Sequence, residues 1–361
     1  MSVLMHGGNL KDISSKMNIN IKDLKDFSSN LNPLGPPEGL LDYLRDNIND
    51  LLVLPEYDSQ AASGFFSELM NIDTDRIVPG NGTTEFIRRL PNTLKAEKAL
   101  ILGPTYSDYE KSCLLNSVKP DYIYPCKDLS FKPDYDLIEK KVSDYDLVFI
   151  CNPNNPTGYL FEKDFLKDLC MKNPDTFFII DETYLPFEEN FEKVSMSSFN
   201  YDNLIVLFSL SKIFTLPGLR LGFMVLPSAV NKNIYDLPWK VSAPAAGVCS
   251  YLNNNKTIVS DFFKKTSDFI KKEKKFFTED ESLIQHFNFI NENNIYTLAK
   301  LKDEKISSDT MFDFFIRKNI VLRDCSNIKG LGNRYIRFSF KNHEDNILLK
   351  EELIQFFKGN K

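Results

Sequence analysis

Between residues 75 and 226 short apolar runs alternate with longer amphipathic stretches. The runs at 98–102 (KALIL), 146–151 (DLVFIC), 177–180 (FFII), 204–208 (LIVLF) and 223–226 predict strands, and 107–116 and 162–172 predict helices between them. Continuous apolar strands separated by helices describe an α/β fold, a mostly parallel sheet covered on both faces. Ligands of such sheets sit beyond the carboxyl ends of the strands. Polar clusters stand at those ends, at 103–106 (GPTY), 152–158 (NPNNPTG), 181–184 (DETY) and 209–212 (SLSK).

Outside this region the pattern changes. The first forty residues are rich in Asn, Gly and Pro and predict an irregular N-terminal arm, 1–40. A large domain follows over 41–245. After about residue 245 the chain predicts a long amphipathic helix at 257–277, two strands or one bent strand across 287–301, a helix at 307–318, and strands at 320–324 and 335–340. That describes a small α+β C-terminal domain, 246–361, with its own sheet.

A length of 361 residues agrees with two domains. Forty-four basic against 50 acidic residues give a formal charge of −6, which supplies no global attraction to nucleic acid or anionic membranes. No apolar run approaches the ~20 residues of a membrane span. The first 25 residues carry Lys11, Asp12, Lys16, Lys22 and Asp23 and no apolar h-region, which argues against a secretory signal. The six cysteines form no CxxC pair and no metal-like spacing with the three histidines. Reduced, buried thiols in a cytoplasmic protein without a metal are the expectation.

The clusters carry distinct chemistry. Ser209-Leu210-Ser211-Lys212 is followed by Pro217-Gly218-Leu219-Arg220-Leu221-Gly222. A lysine just past a buried strand is desolvated, which disfavours its ammonium form and leaves an amine able to form a Schiff base with an aldehyde. Two serine hydroxyls and Arg220 can grip a phosphate; a surface lysine opening a helix satisfies the same short motif. The turn at 152–158 holds the Asn155 amide outward, or is a plain turn. Asp181 at a buried strand end needs a cationic or N–H partner. A pyridinium nitrogen serves, and so does the first turn of a helix that Asp181 caps. Gly80-Asn81-Gly82-Thr83-Thr84-Glu85 precedes a helix whose first N–H groups favour an anion.

In this order and spacing, NPNNPTG, DETY and SLSK with PGLRLG resemble the fold-type-I pyridoxal-phosphate enzymes of the aspartate aminotransferase superfamily. The resemblance spans essentially the whole chain. It implies a mostly parallel seven-stranded sheet covered by helices, a small α+β domain, an N-terminal arm, pyridoxal 5'-phosphate as cofactor, and a homodimer with the site at the subunit interface. It also implies that Lys212 binds the cofactor aldehyde and Asp181 pairs with the pyridine nitrogen. Asn155 and Tyr184 hydrogen-bond the ring hydroxyl, and Tyr106 stacks on the ring. Gly82, Thr83, Thr84, Ser209, Ser211 and Arg220 bind the phosphate. Lys212, Asp181 and Tyr184 form the catalytic set.

His6-Gly7-Gly8-Asn9, Asp26-Phe27-Ser28-Ser29-Asn30, Leu322-Arg323-Asp324 and Arg334-Tyr335-Ile336-Arg337 are similar to the branch that holds histidinol-phosphate aminotransferases and threonine-phosphate decarboxylases. The HGGN opening and Leu237-Pro238-Trp239 look more like the decarboxylases, which make aminopropanol phosphate in cobalamin biosynthesis. This implies a small phosphorylated amino-acid substrate held by His6, Gly8, Asn30, Asn155, Arg323 and Arg337, the two arginines offering planar, bidentate anion recognition. Threonine phosphate is the expected substrate and serine phosphate a rival, since one methylene-sized difference discriminates by only ~1–3 kcal/mol. Transamination of histidinol phosphate is the alternative with the same cofactor, and a non-catalytic phosphate-binding α/β module the alternative of another class. Two positions depart from the family. Leu54 stands where a tyrosine reaches the neighbouring subunit's cofactor phosphate, with Tyr57 three residues on. Ser242 stands where an asparagine is usual.

Overall fold

The computed structural model describes residues 7–125, 131–230, 232, 235, 237–290 and 294–359. Strands are numbered in chain order: β1 (Lys25–Asp26), β2 (Ile77–Asn81), β3 (Lys98–Leu102), β4 (Lys119–Ile123), β5 (Leu147–Cys151), β6 (Phe177–Asp181), β7 (Leu204–Ser209), β8 (Leu221–Val225), β9 (Phe287–Ile290), β10 (Tyr296–Leu301), β11 (Ile320–Val321), β12 (Arg323–Asp324) and β13 (Tyr335–Ser339).

Seven strands form the large sheet in the order β2-β8-β7-β6-β5-β3-β4. From β4 to β7 all neighbours are parallel; β8 runs antiparallel to both β7 and β2. The central strands are apolar between their ends because both faces are covered. In β5, Val148 and Ile150 enter one core cluster and Leu147, Phe149 and Cys151 the other, the period-2 alternation of a strand. Each fully buried aliphatic side chain of this kind is worth ~1.5–3 kcal/mol.

Two strands of this sheet are hidden from a reading of apolar runs. β2 contains Pro79 and Gly80, and β4 reads Lys-Pro-Asp-Tyr-Ile. Both are edge strands, where one side of the backbone has no neighbour to bond and a proline is tolerated; β2 is still buried on both faces, while β4 is half-exposed.

The second sheet has the order β12-β13-β10-β9 and is antiparallel. The helix Lys256–Thr278 packs Phe277 against Phe338 and Phe340, with ring centroids 5.0 and 5.9 Å apart. The run predicted as one strand at 320–324 is two short ones: β11 pairs with β1, and β12 with β13. Within the second pair Arg323 stands opposite Arg337. Directly paired residues share a face of the sheet, so both guanidiniums project to one side.

The described part of the arm is more ordered than its composition suggests. Leu10–Met17 is a helix, and β1 adds in parallel to β11. Leu10, Ile13 and Met17 follow helical spacing and pack with Leu24, Ile316 and Val321. That apolar stripe outweighs the Asn and Gly around it. Among the described residues no helix is long and apolar enough to cross a membrane.

Candidate active site

The polar clusters at the ends of β3, β5, β6 and β7 converge on one cavity of about 300 Å³. Its lining brings together Gly82, Thr83, Thr84, Tyr106, Asn155, Asp181, Tyr184, Ser209, Ser211, Lys212 and Arg220. A second cavity of about 160 Å³ shares Tyr106, Asn155, Tyr184 and Lys212 with the first and adds Asn30, Arg323 and Arg337. The two spaces therefore meet at the Lys212 amine.

Lys212 lies in the turn that follows β7, not at a helix start or on the open surface. Burial is the main cause that lowers its ammonium to about 8, reinforced by the positive charges of Arg337, Arg220 and Lys341. The amine is therefore half neutral near pH 8, where a free lysine is almost wholly protonated.

Asp181 ends β6 with its side chain buried. Its Oδ1 accepts Thr183 N at 3.0 Å and Thr183 Oγ1 at 2.6 Å, and its Oδ2 accepts the Tyr109 hydroxyl at 2.8 Å. Burial raises its pKa while these bonds oppose the rise. No cation among the described residues pairs with it. A buried carboxylate in this state has a place for a positively charged N–H.

Asn155 has its Oδ1 bound by Arg337 Nη1 at 2.5 Å, which leaves the amide nitrogen as its donor. The Tyr184 hydroxyl accepts Asn30 Nδ2 at 3.0 Å, and Asn30 Oδ1 accepts Ser339 Oγ at 2.7 Å. Burial pushes the Tyr184 phenol up to about 12, so it remains a proton donor at neutral pH. The Tyr106 hydroxyl donates to Asp108 at 2.8 Å, and its ring meets Tyr109 edge-on.

The anion end of the larger cavity is built by backbone. Gly82, at φ +75°, caps the helix Thr83–Thr93. A side-chain carbon added there would sit 2.5 Å from Arg220 Nη2, so only glycine leaves the cradle open. Arg220 is itself left-handed, at φ +55°, a strained geometry that turns its guanidinium toward the helix start. Ser209 and Ser211 now donate to the Leu221 carbonyl at 3.4 and 3.1 Å.

The second cavity is the more cationic. Arg337 is buried, and among the described residues its Nη atoms donate only to neutral acceptors, Asn155 Oδ1 and the Ser28 carbonyl at 2.6 Å. Its Nε is buried with no hydrogen-bond partner among the described residues. Arg323 is buried too, bound to the Asp324 carbonyl at 2.5 Å and Asn327 Oδ1 at 2.7 Å. Gly8 is not part of the cavity lining; its N–H donates to Ser28 Oγ at 2.9 Å, while Gly7 lines the wall. His6 lies outside the described residues.

Several lining residues are given no role by the motifs. Tyr109 stands three positions beyond Tyr106, in the first turn of the helix Asp108–Leu115, and Thr183 lies inside the DETY cluster, in the Asx turn of Asp181. Ser28 and Ser29 are drawn into place by Asp26, whose Oδ1 accepts both their N–H groups and the Ser28 hydroxyl. Ile328 carries no signal at all. Leu54 and Tyr57 are away from both cavities and exposed, with Tyr57 edge-on to Trp239 at 5.2 Å. Ser242 is exposed at the N-cap of the helix Ala243–Asn254.

The cavity thus fits pyridoxal 5'-phosphate on two observations: a buried carboxylate lacking a cation, and a glycine cradle between a helix start and an arginine. The whole-chain comparisons agree. The bifunctional adenosylcobalamin biosynthesis protein CobDQ of Leptospira interrogans is 30% identical over the full chain, which spans only 42% of that protein's length. The threonine-phosphate decarboxylase of Salmonella typhimurium is 26% identical, with 98% of this chain and 97% of that one covered. The crystal structure of the histidinol-phosphate aminotransferase from Clostridium acetobutylicum is 27% identical and superimposes with a TM-score of 0.82, covering 93% of this chain and 99% of that one. The family model described as aminotransferase class I and II matches residues 40–350. The chain belongs to that family and is a pyridoxal-phosphate-dependent enzyme.

Proposed function

We propose that the protein decarboxylates a phosphorylated hydroxy-amino acid, L-threonine O-3-phosphate or its serine analogue, giving aminopropanol phosphate or the smaller homologue for cobalamin biosynthesis. One observation carries the reading: Arg337 is a buried guanidinium beside Lys212 that, among the described residues, binds only neutral groups and keeps a buried Nε–H in reserve. An uncompensated buried charge is costly, and a bound anion relieves it. With Arg323 on the adjoining strand, the cavity offers two guanidiniums to a substrate that carries a carboxylate and a phosphate. The similarity to threonine-phosphate decarboxylase and to CobDQ points the same way.

In this reading Lys212 holds the cofactor, Asp181 faces the ring nitrogen, and Asn155 and Tyr184 face the ring hydroxyl. Tyr106 covers the ring. Gly82, Thr83, Thr84, Ser209, Ser211 and Arg220 take the cofactor phosphate. Bound there, the cofactor supplies an electron sink conjugated with the substrate's α carbon. The chain's own residues do the rest. Arg323 and Arg337 orient the two anionic groups, and Asn30 fixes the Tyr184 hydroxyl. Lys212, poised near pH 8, gives a proton to the α carbon once carbon dioxide has left.

A second reading, amino transfer with histidinol phosphate, is supported by the close superposition on the Clostridium acetobutylicum enzyme. There Lys212 takes the α proton instead of restoring it. Carbon dioxide release from threonine phosphate and serine phosphate, set against amino transfer from glutamate to imidazole-acetol phosphate, separates the two. Carbon dioxide without amino transfer is the expected result; amino transfer alone overturns the first reading. Family membership sets aside a non-catalytic module.

The proposal includes a cytoplasmic homodimer. The exposed apolar run of Leu51, Leu52, Val53 and Leu54, with Tyr57 and Trp239 beside it, supports the dimer.

A further inference from the structure

Tyr109 belongs to no motif of the sequence and has no role in the reading above. Its ring is wholly buried, stacked on Phe149 with centroids 4.9 Å apart and met edge-on by Tyr106 at 5.6 Å. Those contacts hold the phenol in one orientation. Its hydroxyl donates to Asp181 Oδ2 at 2.8 Å. Cys151, on the neighbouring strand, lines the same cavity within reach of the Tyr109 hydroxyl, and its thiol donates to the Pro153 carbonyl at 3.4 Å.

A carboxylate oxygen offers about two lone-pair sites. Both sites of Oδ1 are used by Thr183, through its N–H and its hydroxyl. Among the described residues Oδ2 accepts Tyr109 alone, so it is the oxygen with a site to spare. An N–H arriving from the cavity must therefore share Oδ2 with the Tyr109 hydroxyl. The phenol then acts on the oxygen that receives the proton, and a donor at that oxygen makes it less basic.

We propose that Tyr109 is a positioning residue that keeps the Asp181 carboxylate ionised with Oδ2 turned to the cavity, and so holds the proton on the cofactor's ring nitrogen. The proposal rests on Asp181 facing that nitrogen, as argued above. Tyr109 does not touch the reacting atoms; it works through Asp181. Without the hydroxyl, burial acts on the carboxylate against Thr183 alone, the carboxylate becomes more basic, and the proton passes from nitrogen to oxygen.

The test uses the holoprotein loaded with pyridoxal phosphate labelled with nitrogen-15 in the ring. The ring-nitrogen chemical shift and the cofactor dissociation constant are measured for wild type and for Tyr109→Phe. The expected result is a shift from the protonated toward the unprotonated pyridine position, with cofactor binding weakened several-fold as the charged pair between Asp181 and the ring nitrogen gives way to a neutral hydrogen bond. A resonance that does not move, with binding within twofold, overturns the role. A merely structural tyrosine would loosen the fold without moving the ring-nitrogen resonance. If Tyr109→Phe does not fold, 3-fluorotyrosine at position 109 decides. It keeps the shape and donates more strongly, so the resonance moves further toward the protonated position; an unmoved resonance again overturns the role. A wild-type protein that takes up no cofactor overturns the parent reading. A wild type that loads, beside an indistinguishable Tyr109→Phe, overturns only the part played by Tyr109.

Discussion

Lys212 owes its chemistry to its surroundings more than to its type. Burial and three nearby cations lower its ammonium to about 8 from the usual 10.5. A group lowered in this way becomes a free amine as pH rises through the shifted value, and only the free amine attacks an aldehyde. Covalent uptake of pyridoxal phosphate by the cofactor-free protein should therefore quicken up to about pH 8 and level off above it, followed by the visible absorbance. A rate still climbing through pH 10 would show an ordinary exposed lysine. Arg337 shows the opposite device, a charge kept buried without an anion among the described residues. Arg337→Ala should raise KM for the phosphorylated substrate about thirtyfold, equivalent to roughly 2 kcal/mol of lost charge-assisted hydrogen bonding. Cofactor uptake should persist, and an unchanged KM would remove Arg337 from the substrate site.

The arm is where element and site meet. β1 docks on β11, Asp26 gathers Ser28 and Ser29, and Arg337 binds the Ser28 carbonyl. Gly7 closes over this loop so tightly that an added side-chain carbon would collide with the Ser28 carbonyl. Gly7→Ala should therefore lift the arm from the second cavity, raising KM several-fold while leaving cofactor absorbance intact; proteolytic cleavage before residue 25 should quicken alongside. Equal KM and equal cleavage would mean that the arm does not shape the cavity. The sequence made the central strands plain, because strands covered on both faces are continuously apolar between their ends. It concealed β2 and β4, whose edge positions tolerate Pro79, Pro120 and polar residues. It also concealed the helix Leu10–Met17, because three apolar residues at helical spacing are outnumbered locally by polar ones.

At the scale of the whole molecule, the large sheet sets four strand ends around Lys212, and the second sheet supplies both arginines. The first half of this plan was legible because each strand end carries its own polar cluster. The pairing of Arg323 with Arg337 was not, since register between β12 and β13 is a tertiary outcome. Neither was Tyr109, whose part depends on which oxygen of Asp181 it meets. The exposed run from Leu51 to Leu54 remains to be covered. Sedimentation should report two chains per particle, and Leu52→Asp with Val53→Asp should shift it to one; a single chain for the wild type would contradict the dimer. The most direct test of the central claim is chemical. The protein is mixed with pyridoxal phosphate, reduced with borohydride, digested and mapped by mass spectrometry. The pyridoxyl label is expected on Lys212; a label on another lysine, or none, would contradict Lys212 as the point of attachment.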